Sequence, residues 1–306
     1  MEVVRAERIS KYFGNFIAVN NVSLSIGKST IFGLLGPNGA GKTTVIRMLT
    51  NIFMPDKGKI YLFGETTGGH HKSRIGYLPE ERGLYKKLKV IEQLIYFAQL
   101  KGLPKYEAQS KAVWWLKTLG IEDWATKRLQ ELSKGMQQKI QFISTILHNP
   151  DLIILDEPFS GFDPINTELL KSIIIELKEE GKTIVLSTHI MEQVEELCDD
   201  ICLINKGNMM LSGNLRDIKN NYGRDIITLE YEGNISFVYE YSGIDILNKT
   251  ENRMQIRLNG NNYLAKEILN RAIQELTIYR FEFSEPSLKE IFIDTVTKAG
   301  EKNEYE

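Results

Sequence analysis

Cysteine is almost missing from this chain: its 306 residues include two, Cys198 and Cys202. A lone pair four positions apart supplies half a zinc site at most and no disulfide framework, so both are expected to be reduced, half-buried packing residues. An excess of basic charge is missing too. Lys and Arg total 38 against 40 Asp and Glu, a net charge of −2, whereas a nucleic-acid surface needs clustered cations to displace phosphate counterions. No nucleic-acid partner is expected. Long apolar runs are lacking: stretches such as LIIL before Asp156 fall far short of the ~20 residues a membrane helix requires. The opening MEVVRAERISKYFG carries charges throughout and no apolar h-region, so a secretory signal is not expected and the chain is placed in the cytoplasm. If it serves a membrane, a partner must span it. Internal repeats and low-complexity tracts are absent.

What is present suits a globular protein, since 42% hydrophobic and 25% charged residues provide apolar surface for a core and argue against disorder. The length exceeds one ordinary core and favours a large domain plus a small one. Residues 1 to about 27 alternate apolar and polar positions, as in VNNVSLSI at 19–26, which predicts antiparallel strands with one solvated face. IFGLLG at 31–36 reads as a buried strand entering a glycine turn, and TTVIRMLTNI after it has helical spacing. Helical patterns then dominate a stretch of about 85–150, through VIEQLIYFAQLKGL, EAQSKAVWWLKTLGI and KGMQQKIQFISTIL. DLIILD at 151–156 and TIVLSTH at 183–189 restore β-α-β alternation. Beyond about 220, DIITLEYEG and RMQIRLNG alternate, YLAKEILNRAIQEL is helical and IYRFEF is a strand. A small α+β domain over 221–306 is expected, its boundary in the polar segment KNNYGRD at 219–225. The terminal EKNEYE is expected to fray.

GPNGAGKT at 36–43 fits G-x-x-x-x-G-K-[ST] with a strand before it and a helix after it. Gly36, Pro37, Asn38, Gly39, Ala40, Gly41, Lys42, Thr43 and the following Thr44 would let backbone N–H groups converge on phosphates at a helix N-terminus. Lys42 would reach the β- and γ-phosphates and Thr43 would ligate Mg²⁺. A chance glycine turn is disfavoured because both flanks match. LIILDEP at 152–158 delivers Asp156 and Glu157 to the carboxyl end of an apolar strand, where ligands bind in open α/β sheets. Asp156 suits Mg²⁺ through water. Glu157 is placed to orient or deprotonate the attacking water. A solvated loop would also hold an Asp-Glu pair, but not after four apolar residues with a phosphate loop upstream. The expected fold class is therefore α/β: a P-loop NTPase core with an N-terminal antiparallel β subdomain and a helical insertion over 1–220, and the α+β domain after it. These two motifs alone specify an NTPase and no particular task.

Three further pieces narrow the class: LSKGMQQKI at 132–140, FSGFDP at 159–164 and STH at 187–189. In order and spacing, the first ~220 residues resemble the nucleotide-binding subunit of ABC transporters. That resemblance implies ATP and Mg²⁺, and a signature loop whose Ser133 and Gly135 touch the γ-phosphate held by another copy. Lys134 and Met136 depart from the commonest signature, which has Gly and Gln there. His189 matches the switch histidine that contacts the γ-phosphate, and Asp163 matches the loop that crosses the dimer interface. A lone histidine is more often structural, but this one ends a strand beside the acidic pair. Phe13, in KYFG, matches the aromatic that stacks on adenine, a task needing only a π-face; Tyr12 is the neighbouring alternative. Glu80, in IGYLPEERGLY at 75–85, stands where the family usually has glutamine. A carboxylate can ligate Mg²⁺ but cannot donate a hydrogen bond when ionised. Glu80, the KGMQQK signature and the tail's EPSLKEIF together resemble the sodium-efflux-type branch of exporters.

The resemblance implies an ATP-hydrolysing subunit, paired as a homodimer or pseudo-symmetric heterodimer, that powers transport by separate integral membrane permease subunits. Such a subunit sits on the cytoplasmic face of the cell membrane, and export is the expected direction. A soluble ABC-type ATPase acting on ribosomes or DNA is the rival; such proteins usually carry a second nucleotide domain or a coiled-coil or zinc insertion. A non-hydrolytic regulatory subunit is opposed by Glu157 and His189 both being present. His70 and His71, in a Gly- and Thr-rich loop, are expected to be exposed and without metal partners. Trp114 and Trp115 are expected in the core and at an interface of an amphipathic helix. The cargo is not encoded in these residues.

Overall fold

The computed structural model describes residues 2–66, 69–81, 83–223 and 225–303, the side chains of 69, 70 and 298–303 excepted. The chain divides into two compact units, Met1–Gly213 and Asn214–Glu306.

In the first unit, β1 (Glu2–Phe13) and β2 (Phe16–Gly27) form a long antiparallel hairpin, followed by β3 (Ile31–Leu35), α1 (Lys42–Leu49), β4 (Lys57–Leu62), β5 (Glu65–Thr66) and β6 (Ile75–Leu78). Three helices come next: α2 (Val90–Leu100), α3 (Lys105–Thr118) and α4 (Lys134–Ile146). The chain returns through β7 (Leu152–Asp156), α5 (Pro164–Glu179), β8 (Thr183–Thr188), α6 (Met191–Leu197), β9 (Asp200–Asn205) and β10 (Asn208–Asn214). One sheet has the order β2-β1-β4-β5, the other β10-β9-β3-β8-β7-β6. In β2 the alternation slips at Asn20 and Asn21, both exposed, where the register against β1 shifts and Asn21 takes φ 52°. This bulge returns Val22, Leu24 and Ile26 to the buried face.

Strands β3, β7 and β8 are buried along their whole length. Uninterrupted apolar runs are what a parallel strand covered on both faces requires. The pairs β9–β3, β3–β8, β8–β7 and β7–β6 are all parallel. The segments leaving β3, β6, β7 and β8 therefore emerge along one edge of the sheet. That edge receives the glycine loop, Glu80, Glu157 and His189 together.

Several side chains differ from expectation. His71 is buried at 6% exposure rather than exposed. The turn Gly69–Arg74 lays its ring 5.4 Å from that of Phe63, with Nε2 3.5 Å from Glu65. The side chain of His70 lies outside the described residues. Cys198 and Cys202 are buried rather than half-buried, Cys202 fully so, and burial pushes the Cys202 thiol up to about 12. Helix α3 buries Ala108, Ala112 and Leu116, which leaves Trp115 half-buried and turns Trp114 outward at 57% exposure.

The second unit opens with α7 (Leu215–Tyr222), where Asn214 caps the helix by accepting from the N–H groups of Arg216 and Asp217. The helix occupies part of the polar segment in which sequence reading placed the boundary. β11 (Ile226–Glu232), β12 (Asp245–Lys249), β13 (Arg253–Arg257), α8 (Tyr263–Glu275), β14 (Thr277–Ser284) and α9 (Leu288–Asn303) follow. The antiparallel sheet β12-β13-β11-β14 has its own core, in which Ile227, Leu229, Tyr231, Met254, Ile256, Ile268 and Ala272 are buried. Residues 304–306 of the tail lie outside the described residues.

Candidate functional site

The loop between β3 and α1 folds as it does because three of its residues carry no side chain. Gly36 has φ 149°, and a Cβ there would lie 2.1 Å from the carbonyl oxygen of Ile204. At Gly41, with φ 109°, a Cβ would meet the Ala18 carbonyl oxygen at 2.5 Å. Gly41 is also the N-cap of α1 and offers no side-chain cap, so the first N–H groups of the helix have no side-chain acceptor from that position. Lys42 is the first residue of the helix and is buried. Its Nζ donates to the carbonyls of Gly36 at 2.7 Å and Pro37 at 3.2 Å. Burial lowers the Lys42 pKa below its ordinary value, and the carboxylates of Glu157, Asp156 and Glu80 oppose that shift.

An open cleft of about 490 Å³ runs over this loop, lined by Phe16, Ala18, Asn38, Gly39, Ala40, Gly41, Lys42, Thr43, Thr44, Glu80, Asp156 and Glu157. Asp156 is fully buried. Its Oδ1 accepts from Ser187 Oγ, while Oδ2 has no hydrogen-bond partner among the described residues. Glu157 follows with φ 50°, a left-handed conformation that costs a non-glycine residue about 1–2 kcal/mol. Its backbone N–H donates to Ser187 O at 3.0 Å, so β8 holds the residue in that turn. The Glu157 Oε1 lies 2.9 Å from His189 Nδ1 and 3.8 Å from Lys42 Nζ. A cation, a carboxylate and an imidazole thus meet at the end of the phosphate-type loop.

Ser133, Gly135 and Asp163 do not line this cleft. Ser133 is the N-cap of α4, accepting from Met136 N–H at 3.3 Å, and Asp163 caps α5, accepting from Asn166 N–H at 2.9 Å. Both caps are exposed. Gly135 packs near the loop before α5: a Cβ there would lie 3.3 Å from the Gly161 carbonyl oxygen. Phe13 ends β1 with its ring edge-on to Phe53, centroids 5.6 Å apart, and Phe16 is the aromatic that lines the cleft. Sequence reasoning missed Phe16, Ala18 and the partner role of Ser187. Only Ser187 left a signal, lying two positions before His189 at the end of the next strand.

A family model described as ABC transporter matches residues 19–160. The ABC transporter ATP-binding protein YhaQ of Bacillus subtilis is 44% identical over 290 residues, which is 95% of this chain and 97% of the relative. The chain belongs to the ATP-binding subunits of ABC transporters. Nod factor export ATP-binding protein I of Ralstonia nicotianae is 35% identical over 229 residues, 74% of this chain and 71% of that protein. A solved structure described as the ATP-binding subunit of an ABC transporter has 29% identity and a TM-score of 0.68, covering 72% of this chain and 93% of its own. A second model, the C-terminal domain of DrrA1-3-like ATP-binding proteins, matches residues 213–296.

Two observations bear on what this ABC ATP-binding subunit can hold. The buried, unpartnered Asp156 Oδ2 suits a divalent cation. No group of three or more His, Cys, Asp or Glu side chains is arranged to cage a metal among the described residues. The free Asp156 oxygen at the floor of the phosphate-loop cleft is the observation that fits Mg²⁺, which takes one or two carboxylates and completes its shell with phosphates and water. No helix among the described residues is long and apolar enough to cross a membrane.

Proposed function

We propose that the subunit hydrolyses MgATP in a site shared between two copies, and that their closure drives a separate membrane-spanning partner. The observation that carries hydrolysis is the Lys42–Glu157–His189 constellation. With Oε1 of Glu157 bound to His189, the other carboxylate oxygen is left to orient or deprotonate water, and His189 fixes the carboxylate in that posture. The phosphates lie on residues 36–44, and Lys42 exchanges the Gly36 and Pro37 carbonyls for phosphate oxygens. Thr43, Asp156 and Glu80 would hold Mg²⁺, which would neutralise phosphate charge there. Adenine stacks on Phe13 at the hairpin tip, and Phe16 walls the cleft.

Ser133 and Gly135 act on the nucleotide of the other copy. The exposure of Ser133 at the N-terminus of α4, outside its own cleft, supports this, because a helix N-terminus favours an anion. Asp163 lies beside them and links the two sites. The partner places the subunit on the cytoplasmic face of the membrane, and export is the direction carried by the Nod factor relative's name. A role on ribosomes or DNA has no support in the relatives found.

Replacing Glu157 with Gln should lower ATP hydrolysis by at least about a hundredfold while ATP still binds. Gel filtration of this variant should show a dimer with ATP and a monomer without it. A monomer under both conditions overturns the shared site, and retained hydrolysis overturns the role of Glu157.

A further inference from the structure

Strand β8 carries three hydroxyls, on Thr183, Ser187 and Thr188, and all three residues are buried. Two of these hydroxyls serve the fold. Thr183 Oγ1 accepts from Ser29 N–H at 3.1 Å and donates to Gly27 O at 3.4 Å, tying the start of β8 to the turn between β2 and β3. Thr188 Oγ1 accepts from Ile190 N–H at 3.1 Å and donates to Gln193 Oε1 at 3.1 Å, closing the turn into α6. The third is spent differently. Ser187 is fully buried, and its hydroxyl donates to Oδ1 of the equally buried Asp156.

Asp156 and Ser187 are directly paired residues of the parallel strands β7 and β8, so their side chains stand on the same face of the sheet. No other hydrogen bond reaches the Asp156 carboxylate among the described residues, and Oδ2 has no partner. The last torsion of an aspartate is broad and roughly twofold, so a carboxylate with no donor has no fixed plane. The Ser187 hydroxyl fixes that plane and makes the two oxygens unequal: Oδ1 is engaged and Oδ2 is left for a cation. Ser187 does not line the cleft, so it acts on the cation only through Asp156. Its main chain has a separate task. Ser187 O accepts from Glu157 N–H at 3.0 Å, a bond that a change of side chain leaves in place.

We propose that Ser187 is a positioning residue for the cation: its hydroxyl holds the Asp156 carboxylate in the plane that offers Oδ2 to Mg²⁺, and so sets how strongly the metal is held. This rests on the reading that the cleft binds MgATP, and it adds a residue outside the cleft on which metal affinity depends. A hydrogen bond to an ionised group is strong enough that its loss changes affinity by about tenfold or more.

The test uses the full chain and reads two quantities: the affinity for a fluorescent ATP analogue with Mg²⁺ and with EDTA, and the free Mg²⁺ concentration that half-saturates hydrolysis. Ser187→Ala should bind the analogue in EDTA as the native chain does, and should lose most of the gain that Mg²⁺ brings. Its half-saturating Mg²⁺ should rise about tenfold. Its kcat at saturating Mg²⁺ should stay within about threefold of native, because Glu157 keeps its backbone bond to residue 187. Ser187→Thr, which keeps the hydroxyl, should restore the Mg²⁺ dependence. Binding weakened equally in EDTA and Mg²⁺, or a kcat that excess Mg²⁺ does not recover, overturns the proposal and makes Ser187 a residue of the fold alone. If Ser187→Ala does not fold, Ser187→Cys takes its place; the thiol is a weak donor of similar size, and half-saturating Mg²⁺ at the native value in that variant overturns the proposal as well. A native chain that gains nothing from Mg²⁺ sinks the MgATP reading and this proposal with it, whereas a gain that survives Ser187→Ala sinks the proposal alone.

Discussion

Gly36 and Gly39 stand in one loop with positive φ, 149° and 78°, but a methyl group meets different surroundings at each. At Gly36 it lands 2.1 Å from the backbone of Ile204, which β9 fixes in place; at Gly39 nothing lies within 4 Å. Gly36→Ala should therefore cost roughly 3 kcal/mol or more and displace the loop, abolishing ATP binding. Gly39→Ala should cost about 1 kcal/mol, the price of the left-handed backbone alone. Urea unfolding and titration with a fluorescent ATP analogue check both, and equal losses at the two positions would show that the Ile204 contact is not what demands Gly36. The same distinction separates what could be read in the sequence from what could not. The identities of the loop residues were legible because their chemistry is local: φ and phosphate approach depend on the residues in the motif. Phe16 was not, because an aromatic at a hairpin tip looks the same whether it faces a cleft or solvent. His71 was misread for a related reason, since a short turn in a polar segment gives no sign that Phe63 will cover its ring.

Among the elements, the parallel strands were the most legible. Burial on both faces forces runs such as LIILD, and parallel order sends the following loops to one edge. Helices α2, α3 and α4 were visible through their periodicity, but the direction each presents was not. Trp114 faces outward because α3 packs through alanines and Leu116, a choice made by the neighbouring helices. The seam between α4 and β6 makes a prediction that sequence does not suggest. His148 follows α4, is 7% exposed, and its Nε2 lies 3.1 Å from Ile75 O in β6. Burial, aided by Lys101, pushes its pKa down from 6.5 to about 4. The unfolded chain thus binds more protons than the folded one between those values. The stabilisation is complete above pH 6.5 and is lost as pH falls toward 4. At pH 5 this single group should cost about 2 kcal/mol relative to neutral pH. Comparing urea midpoints at pH 7 and pH 5 for the native chain and for His148→Gln should show that part of the slope disappear in the variant. An unchanged slope would mean that another group carries the acid sensitivity.

At the scale of the whole molecule, the division at Gly213 separates chemistry from something else. Every residue that lines the nucleotide cleft, and every other residue assigned to it here, lies before that point. The second unit has an antiparallel sheet with its own buried cluster around Leu229, Tyr231 and Ile256. A unit with its own core has the means to fold alone. Its sequence showed strands and a helix but not where it begins, because α7 is made from the polar residues that usually mark a linker. A chain ending at Gly213 should therefore unfold cooperatively and bind ATP within about threefold of the full protein, while residues 214–306 should fold independently with near-native secondary structure. Isothermal titration and circular dichroism on the two pieces decide this. Retained binding with a lost ATP-dependent dimer in Glu157→Gln would assign the second unit to holding the copies together. Lost binding in a well-folded first piece would mean that the nucleotide site draws on residues beyond Gly213, contrary to the geometry of the cleft.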